Sequence, residues 1–275
     1  MASQITPNTF CTTTGPSPST TIFFISGNPG LIAYYHPFLS LLANYLKEDE
    51  KSSFQIYGGS LGGFEIGEDS PKDLDLEDQI LFVQKKLANL MDGCDDNASA
   101  NADVNANGDS NVKSRPKVIL IGHSVGSYIA MEILRRHREN SGPTSFDITG
   151  GAMLFPTVKD IAASPSGQKL TSRGGVRQAL HMAADEMRTI TSDRWSDDVW
   201  GVAKAHEPIT RLFFYFGRND HWVAERTRDE IVALRGRDGG PTMVVCEEGL
   251  PHAFCLKHSD TMARKVAGMV GEIVG

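Results

Sequence analysis

The stretch Lys117–Arg136, KVILIGHSVGSYIAMEILRR, constrains this chain more than any other. Val118, Ile119, Leu120 and Ile121, with the flanking Gly122, form a short continuous apolar run of the kind found in a strand buried on both faces. Gly122-His123-Ser124-Val125-Gly126 follows at once. Beyond it the period changes: Tyr128, Ile129, Ile133 and Leu134 make one apolar helical stripe that runs out at Arg135 and Arg136. A strand that turns sharply through small residues into a helix is the setting a nucleophilic serine requires, because it projects the hydroxyl clear of the backbone. Glycines at 122 and 126 let strand and helix pass closely, and free N–H groups at the helix start favour a developing oxyanion.

The pentapeptide alone does not decide the matter, since Gly58-Gly59-Ser60-Leu61-Gly62 matches the same pattern. Ser60 also follows a strand-like run, Phe54–Tyr57, but what comes next, Gly62-Gly63-Phe64-Glu65-Ile66-Gly67-Glu68-Asp69, is too rich in glycine and acid to start a helix packed on a sheet. Ser60 is therefore expected in a loop and Ser124 at the nucleophile position.

Around this stretch, strands and helices alternate. Buried-strand runs are expected at 21–26 (TIFFIS), 54–57, 148–155 (ITGGAMLF), 211–217 (RLFFYFG) and 242–246 (TMVVC). Helical spacing appears at 34–46, where Phe38, Leu41, Leu42 and Tyr45 share a face, and at 75–91, where Leu76, Ile80, Val83, Leu87 and Leu90 do, with Asp75 or Asp73 as the cap. Residues 225–234 and 259–274 read as two more helices, and the first twenty residues as a loose lead-in with an edge strand. Residues 92–115, rich in Asn, Asp, Ala and Gly, carry almost nothing apolar to bury and are expected to be a disordered surface loop. Residues 156–208 break the alternation with helical fragments and two tryptophans, Trp195 and Trp200, which suits a helical cap over the site or, more plainly, a peripheral helical excursion. The whole, 1–275, is expected to be a single α/β domain with a mostly parallel sheet covered on both faces.

Composition removes several functions. A net charge of −7 argues against nucleic acid or an anionic membrane as an electrostatic partner. Four cysteines, Cys11, Cys94, Cys246 and Cys255, have no CxxC spacing, and there is no HExxH, no strand-borne GxGxxG and no Walker loop, so neither metal nor cofactor is implied. The N-terminus has no basic start followed by an apolar core, and no run approaches the ~18 apolar residues of a membrane span. A cytoplasmic or peripherally attached protein is expected.

Three residues that carry chemistry lie just past strand ends, in the order Ser124, Asp220, His252, which is the order of the α/β-hydrolase fold. The serine needs a base to take its proton, a neutral imidazole can take and return it, and the imidazole needs a carboxylate to hold its tautomer. His221, His258 and His123 compete for the base. His221 adjoins Asp220, His258 lies in the last helix region, and His123 points away from its neighbour's hydroxyl. Asp193, Asp197 and Asp198 compete with Asp220. Gly27-Asn28-Pro29-Gly30, after the first buried strand, suits an oxyanion loop as readily as an ordinary turn. Pro29 has no N–H, so Asn28 is its better donor, with Val125 as the second.

The chain resembles the lipid-droplet-associated hydrolase family. The likeness rests on Ile25-Ser26-Gly27-Asn28-Pro29-Gly30 followed by Tyr34-Tyr35-His36-Pro37-Phe38, where the family shows P-G-N-P-G and then F/Y-Y-x-x-F. It rests equally on Ile119 to Tyr128 around the elbow, on Asp220, and on His252-Ala253-Phe254. Ser26 stands where the family usually has proline, and the Gly58–Gly63 loop replaces a Ser-His-x-Gly-His element. The resemblance implies esterase- or lipase-like chemistry on a small-molecule apolar ester, and a peripheral place at the lipid-droplet surface. Two other readings of the same residues are a thioester-releasing or cyclising enzyme, and a droplet-binding protein with weak activity.

Overall fold

The computed structural model describes residues 3–48, 52–67, 73–99, 115–140, 144–164, 177–202 and 210–275, the stretch 94–99 by its backbone alone. Among these residues eight strands, β1 (Gln4–Thr6), β2 (Thr9–Thr13), β3 (Thr20–Ile25), β4 (Phe54–Gly59), β5 (Lys117–His123), β6 (Asp147–Leu154), β7 (Arg211–Gly217) and β8 (Thr242–Cys246), form one sheet in the order β1-β2-β4-β3-β5-β6-β7-β8. From β4 to β8 every neighbouring pair is parallel, while β1 and β2 are antiparallel additions at one edge. The helices are α1 (His36–Glu48), α2 (Leu76–Ser99), α3 (Val125–Glu139), α4 (Arg177–Thr189), α5 (Glu225–Arg235) and α6 (Ser259–Val274). This is the α/β-hydrolase architecture.

The apolar runs of the central strands are continuous because they serve two cores at once. Val118 and Leu120 of β5 and Phe214 and Phe216 of β7 join a cluster with residues of α2, α3 and α5. Their alternates, Ile119, Ile121, Phe213 and Tyr215, face the opposite way into a cluster with α1 and α6. Strand register places Phe23 beside Leu120 and Phe24 beside Ile121, so the two layers stay in phase across the sheet.

Several elements differ in detail from the sequence expectation. The lead-in is a two-stranded hairpin turning at Pro7 and Asn8, and β2 buries Phe10 against the sheet. A 3-10 turn at Ile32–Tyr35 precedes α1, so the helix starts at His36 and its buried face is Phe38, Leu39, Leu42 and Leu46, with Leu41 and Tyr45 at its margin. Asp75 caps α2: its carboxylate accepts the Asp78 N–H at 2.9 Å, while Asp73 instead pairs with Arg177. The α2 backbone runs on to Ser99, into the segment read as a loop, and 100–114 lies outside the described residues.

Candidate active site

The sheet order brings the ends of β3, β5, β6, β7 and β8 to one edge, where Asn28, Ser124, Asp220 and His252 follow their strands. Ser124 sits at φ 56°, ψ −126°, a backbone conformation that L-residues avoid and that marks a sharp strand-to-helix turn. Its N–H donates to the Leu154 carbonyl at 2.9 Å, which ties the turn to β6. The flanking glycines are forced by contact. A Cβ at Gly122 would lie 2.4 Å from the Gly126 carbonyl oxygen, and one at Gly126 would lie 2.3 Å from the Ile25 oxygen. Gly27 is similarly constrained, because a Cβ there would lie 2.9 Å from the Ser124 Cβ. The glycine turn after β3 therefore lies directly against the serine.

Asp220 and His252 come together across β7 and β8. His252 Nδ1 lies 2.8 and 3.0 Å from the two oxygens of the buried Asp220 carboxylate. One of those oxygens also accepts the Trp222 N–H at 2.8 Å. A carboxylate facing Nδ1 keeps the proton on that nitrogen and leaves Nε2 as the free acceptor. The rivals are placed elsewhere. His221 is exposed, and His258 sits at the N-terminus of α6. Asp193 and Asp197 pair with Arg235, and Asp198 with Arg138. Asp193 also accepts the Trp200 indole N–H, so it anchors the segment after α4. Ser60 is buried and accepts the Ile32 N–H at 3.3 Å, a structural use that leaves no elbow around it.

Val125 is the first residue of α3, so its N–H has no carbonyl one turn earlier to bond. Among the described residues no hydrogen bond takes the Asn28 N–H. The Asn28 side chain is well held: its amide donates to the Ala179 carbonyl at 2.9 Å and to Glu186 at 3.2 Å, both on α4. Gln178 of the same helix bonds both the N–H and the carbonyl of Leu74, so α4 packs between the glycine turn and the start of α2. Of the expected cap, 165–176 and 203–209 lie outside the described residues. Trp195 and Trp200 are buried against the body, Trp195 donating to Glu132 of α3 at 2.7 Å.

Glu186 escaped the sequence analysis. Burial pushes its carboxyl up to about 8, Asp185 adding to the rise and the Asn28 hydrogen bond opposing it. Its only sequence signal is a glutamate one turn from Met182 and two from Gln178, on the buried face of an amphipathic helix. Both ring nitrogens of His123 lie against partners other than the serine, Nδ1 against Tyr35 Oη at 2.8 Å and Nε2 against the His252 carbonyl at 2.9 Å. The ring is buried between Tyr35, Phe155 and Phe254, 4.9 Å from the His252 ring. Burial, and then the nearby His252, hold its pKa well below the usual imidazole range, against the pull of its bond to the His252 carbonyl. Phe155 holds φ 47° to enter this aromatic group, a strained value for a bulky side chain.

A family model described as "Lipid-droplet associated hydrolase" matches residues 18–173 and 168–255. The chain belongs to this family. Lipid droplet-associated hydrolases from Mus musculus (25% identical, over 91% of this chain and 84% of the relative) and Drosophila melanogaster (30%, 90% and 88%) are among its relatives. Among solved structures, the fold is shared with a serine hydrolase from the bacterium Cycloclasticus zankles (TM-score 0.58, 14% identical, 97% of this chain and 95% of that one). It is shared also with an esterase from Rhizomucor miehei (TM-score 0.58, 12%, 96% and 78%). Membership of the lipid-droplet-associated hydrolases makes the chain a hydrolase. Among the described residues no helix is long and apolar enough to cross a membrane.

Proposed function

We propose that the protein is a serine hydrolase of carboxylic esters with an apolar acyl group, acting through Ser124, His252 and Asp220. The observation that carries this reading is the contact of His252 Nδ1 with the Asp220 carboxylate at 2.8 Å, on the same sheet edge as a serine at the strained turn. His252 Nε2 accepts the Ser124 hydroxyl proton as Oγ attacks the ester carbonyl carbon, and Asp220 holds the tautomer and balances the imidazolium. The tetrahedral oxyanion is received by the N–H groups of Asn28 and Val125. As the carbon–oxygen bond to the alcohol breaks, His252 returns the proton to the leaving oxygen, leaving an acyl-Ser124. Water, activated by the same imidazole, then releases the acid.

The relatives' name associates them with lipid droplets, and an apolar ester at a droplet surface is the substrate setting that fits both the name and this acyl chemistry. The decisive experiment pairs fluorophosphonate labelling with turnover of p-nitrophenyl esters of increasing chain length. Wild type is expected to label at Ser124 and to favour longer chains, whereas Ser124→Ala neither labels nor turns over. A Ser124→Ala protein as active as wild type removes the assignment, and a wild type that neither labels nor turns over favours a droplet-binding role. Thioesters in the same panel separate ester hydrolysis from thioester release.

A further inference from the structure

Behind the site runs a chain of hydrogen bonds whose direction is fixed by its end groups. His123 Nε2 lies 2.9 Å from the main-chain carbonyl of His252, which only accepts, so Nε2 carries the proton. Burial among Tyr35, Phe155 and Phe254 keeps the ring neutral, which leaves Nδ1 as an acceptor. Tyr35 Oη, 2.8 Å from Nδ1, is therefore the donor there. The same Tyr35 oxygen accepts the Gly27 N–H at 3.2 Å. Tyr35 and His123 are both almost fully buried, at 4% exposure each, so neither has water as a substitute partner.

Resting on the Ser124–His252–Asp220 reading, we infer that Tyr35 and His123 are positioning residues, a one-way relay from Gly27 N–H through Tyr35 O–H and His123 to the His252 carbonyl. The relay does two things. It fixes the main chain of the base relative to the glycine turn that carries the Asn28 oxyanion donor, although the two lie at opposite ends of the sequence. It also occupies the Gly27 N–H, so that Asn28 rather than Gly27 faces the reacting oxygen. His123 is chain neighbour to the nucleophile, so one ring ties the elbow, the oxyanion turn and the loop of the base together.

Two measurements on the full chain test this. Nitrogen-15 NMR of imidazole-labelled protein should find His123 as the neutral Nε2–H tautomer at pH 7. A proton on Nδ1 instead, or on both nitrogens, overturns the relay, and this readout needs no variant to fold. In ester turnover, Tyr35→Phe and His123→Asn should lower kcat about tenfold with KM unchanged, the signature of a lost buried hydrogen bond that acts on the reacting state. His123→Gln, whose amide nitrogen can replace Nε2 as donor to the His252 carbonyl, should recover at least about threefold of that loss, whereas His123→Met, of similar size with no donor, should not; equal recovery by the two would mean that the ring only fills space and would overturn the relay. His252→Ala is the control. If it is inactive while Tyr35→Phe and His123→Asn match wild type, the relay is wrong and the triad stands. If His252→Ala turns over like wild type, the triad reading fails and the relay's purpose with it.

Discussion

At the scale of single residues, the site is built from positions where a side chain is forbidden as much as from those where one acts. Gly126 is such a position, because its missing Cβ is what lets α3 start against the end of β3. Gly126→Ala places a methyl 2.3 Å from the Ile25 carbonyl oxygen, a backbone atom with little room to retreat. The expected cost is about 3 kcal/mol or more, at the upper end of overpacking, together with a displaced Ser124 and lost turnover. Gly268 is the contrast: it lies exposed within α6, and a Cβ there meets nothing within 4 Å. Gly268→Ala should stabilise the protein by about 0.5–1 kcal/mol, since alanine is the better helix former. Urea unfolding of the two variants measures both, and a Gly126→Ala protein with wild-type midpoint and turnover contradicts the close-approach account.

At the scale of elements, α4 is fastened to the glycine turn through Asn28, and Glu186 is its sensitive point. A carboxyl raised from its ordinary 4.5 to about 8 binds its proton more tightly in the folded than in the unfolded chain. Its contribution to stability is fully present below about 4.5 and is lost as pH rises through about 8. The charged group beside it, Asp185, is itself occupied by the Leu76 N–H and Arg188 and worsens the cost of ionising Glu186. Glu186→Gln keeps an acceptor for Asn28 without the titration. It should match wild type near pH 5 and unfold higher at pH 8, by at least about 1 kcal/mol or roughly 2–4 °C in Tm. Equal slopes of Tm against pH in the two proteins would remove Glu186 as the cause. The same helix shows where sequence reading stops. The central strands were legible because continuous apolar runs such as RLFFYFG have one comfortable place, buried on both faces. The elbow was legible because a continuous apolar run gives way to a helical period of 3.6 across two glycines. The fastening of α4 was not, because it depends on polar side chains meeting partners 104 to 158 residues away, as Gln178 meets Leu74 and Glu186 meets Asn28. The bond from His123 to the His252 carbonyl spans 129 residues and leaves as little trace in any local pattern.

At the scale of the whole molecule, the sheet has to end somewhere, and the two ends are handled differently. β8 closes one edge as a short strand that is only partly buried. At the other, β4 would present its outer backbone groups to solvent if β2 did not pair with it from Thr9↔Gly59 to Thr13↔Gln55. The N-terminal hairpin is therefore a cover for an edge that is otherwise apolar, since Phe54 and Ile56 of β4 are buried and Phe10 of β2 packs in the same cluster. It also holds the loop after β4, for Asn8 exchanges two hydrogen bonds with Ile66 and accepts the Ser60 N–H. Removing residues 1–13 should uncover this edge without touching Ser124, Asp220 or His252. The truncated protein is expected to associate through β4, eluting early in size-exclusion chromatography and binding a hydrophobic dye, while the fraction that stays monomeric still labels with a fluorophosphonate. A truncated chain that is monodisperse, with unchanged Tm, would mean that β4 tolerates an open edge and that the hairpin is an ornament of the sheet rather than its guard.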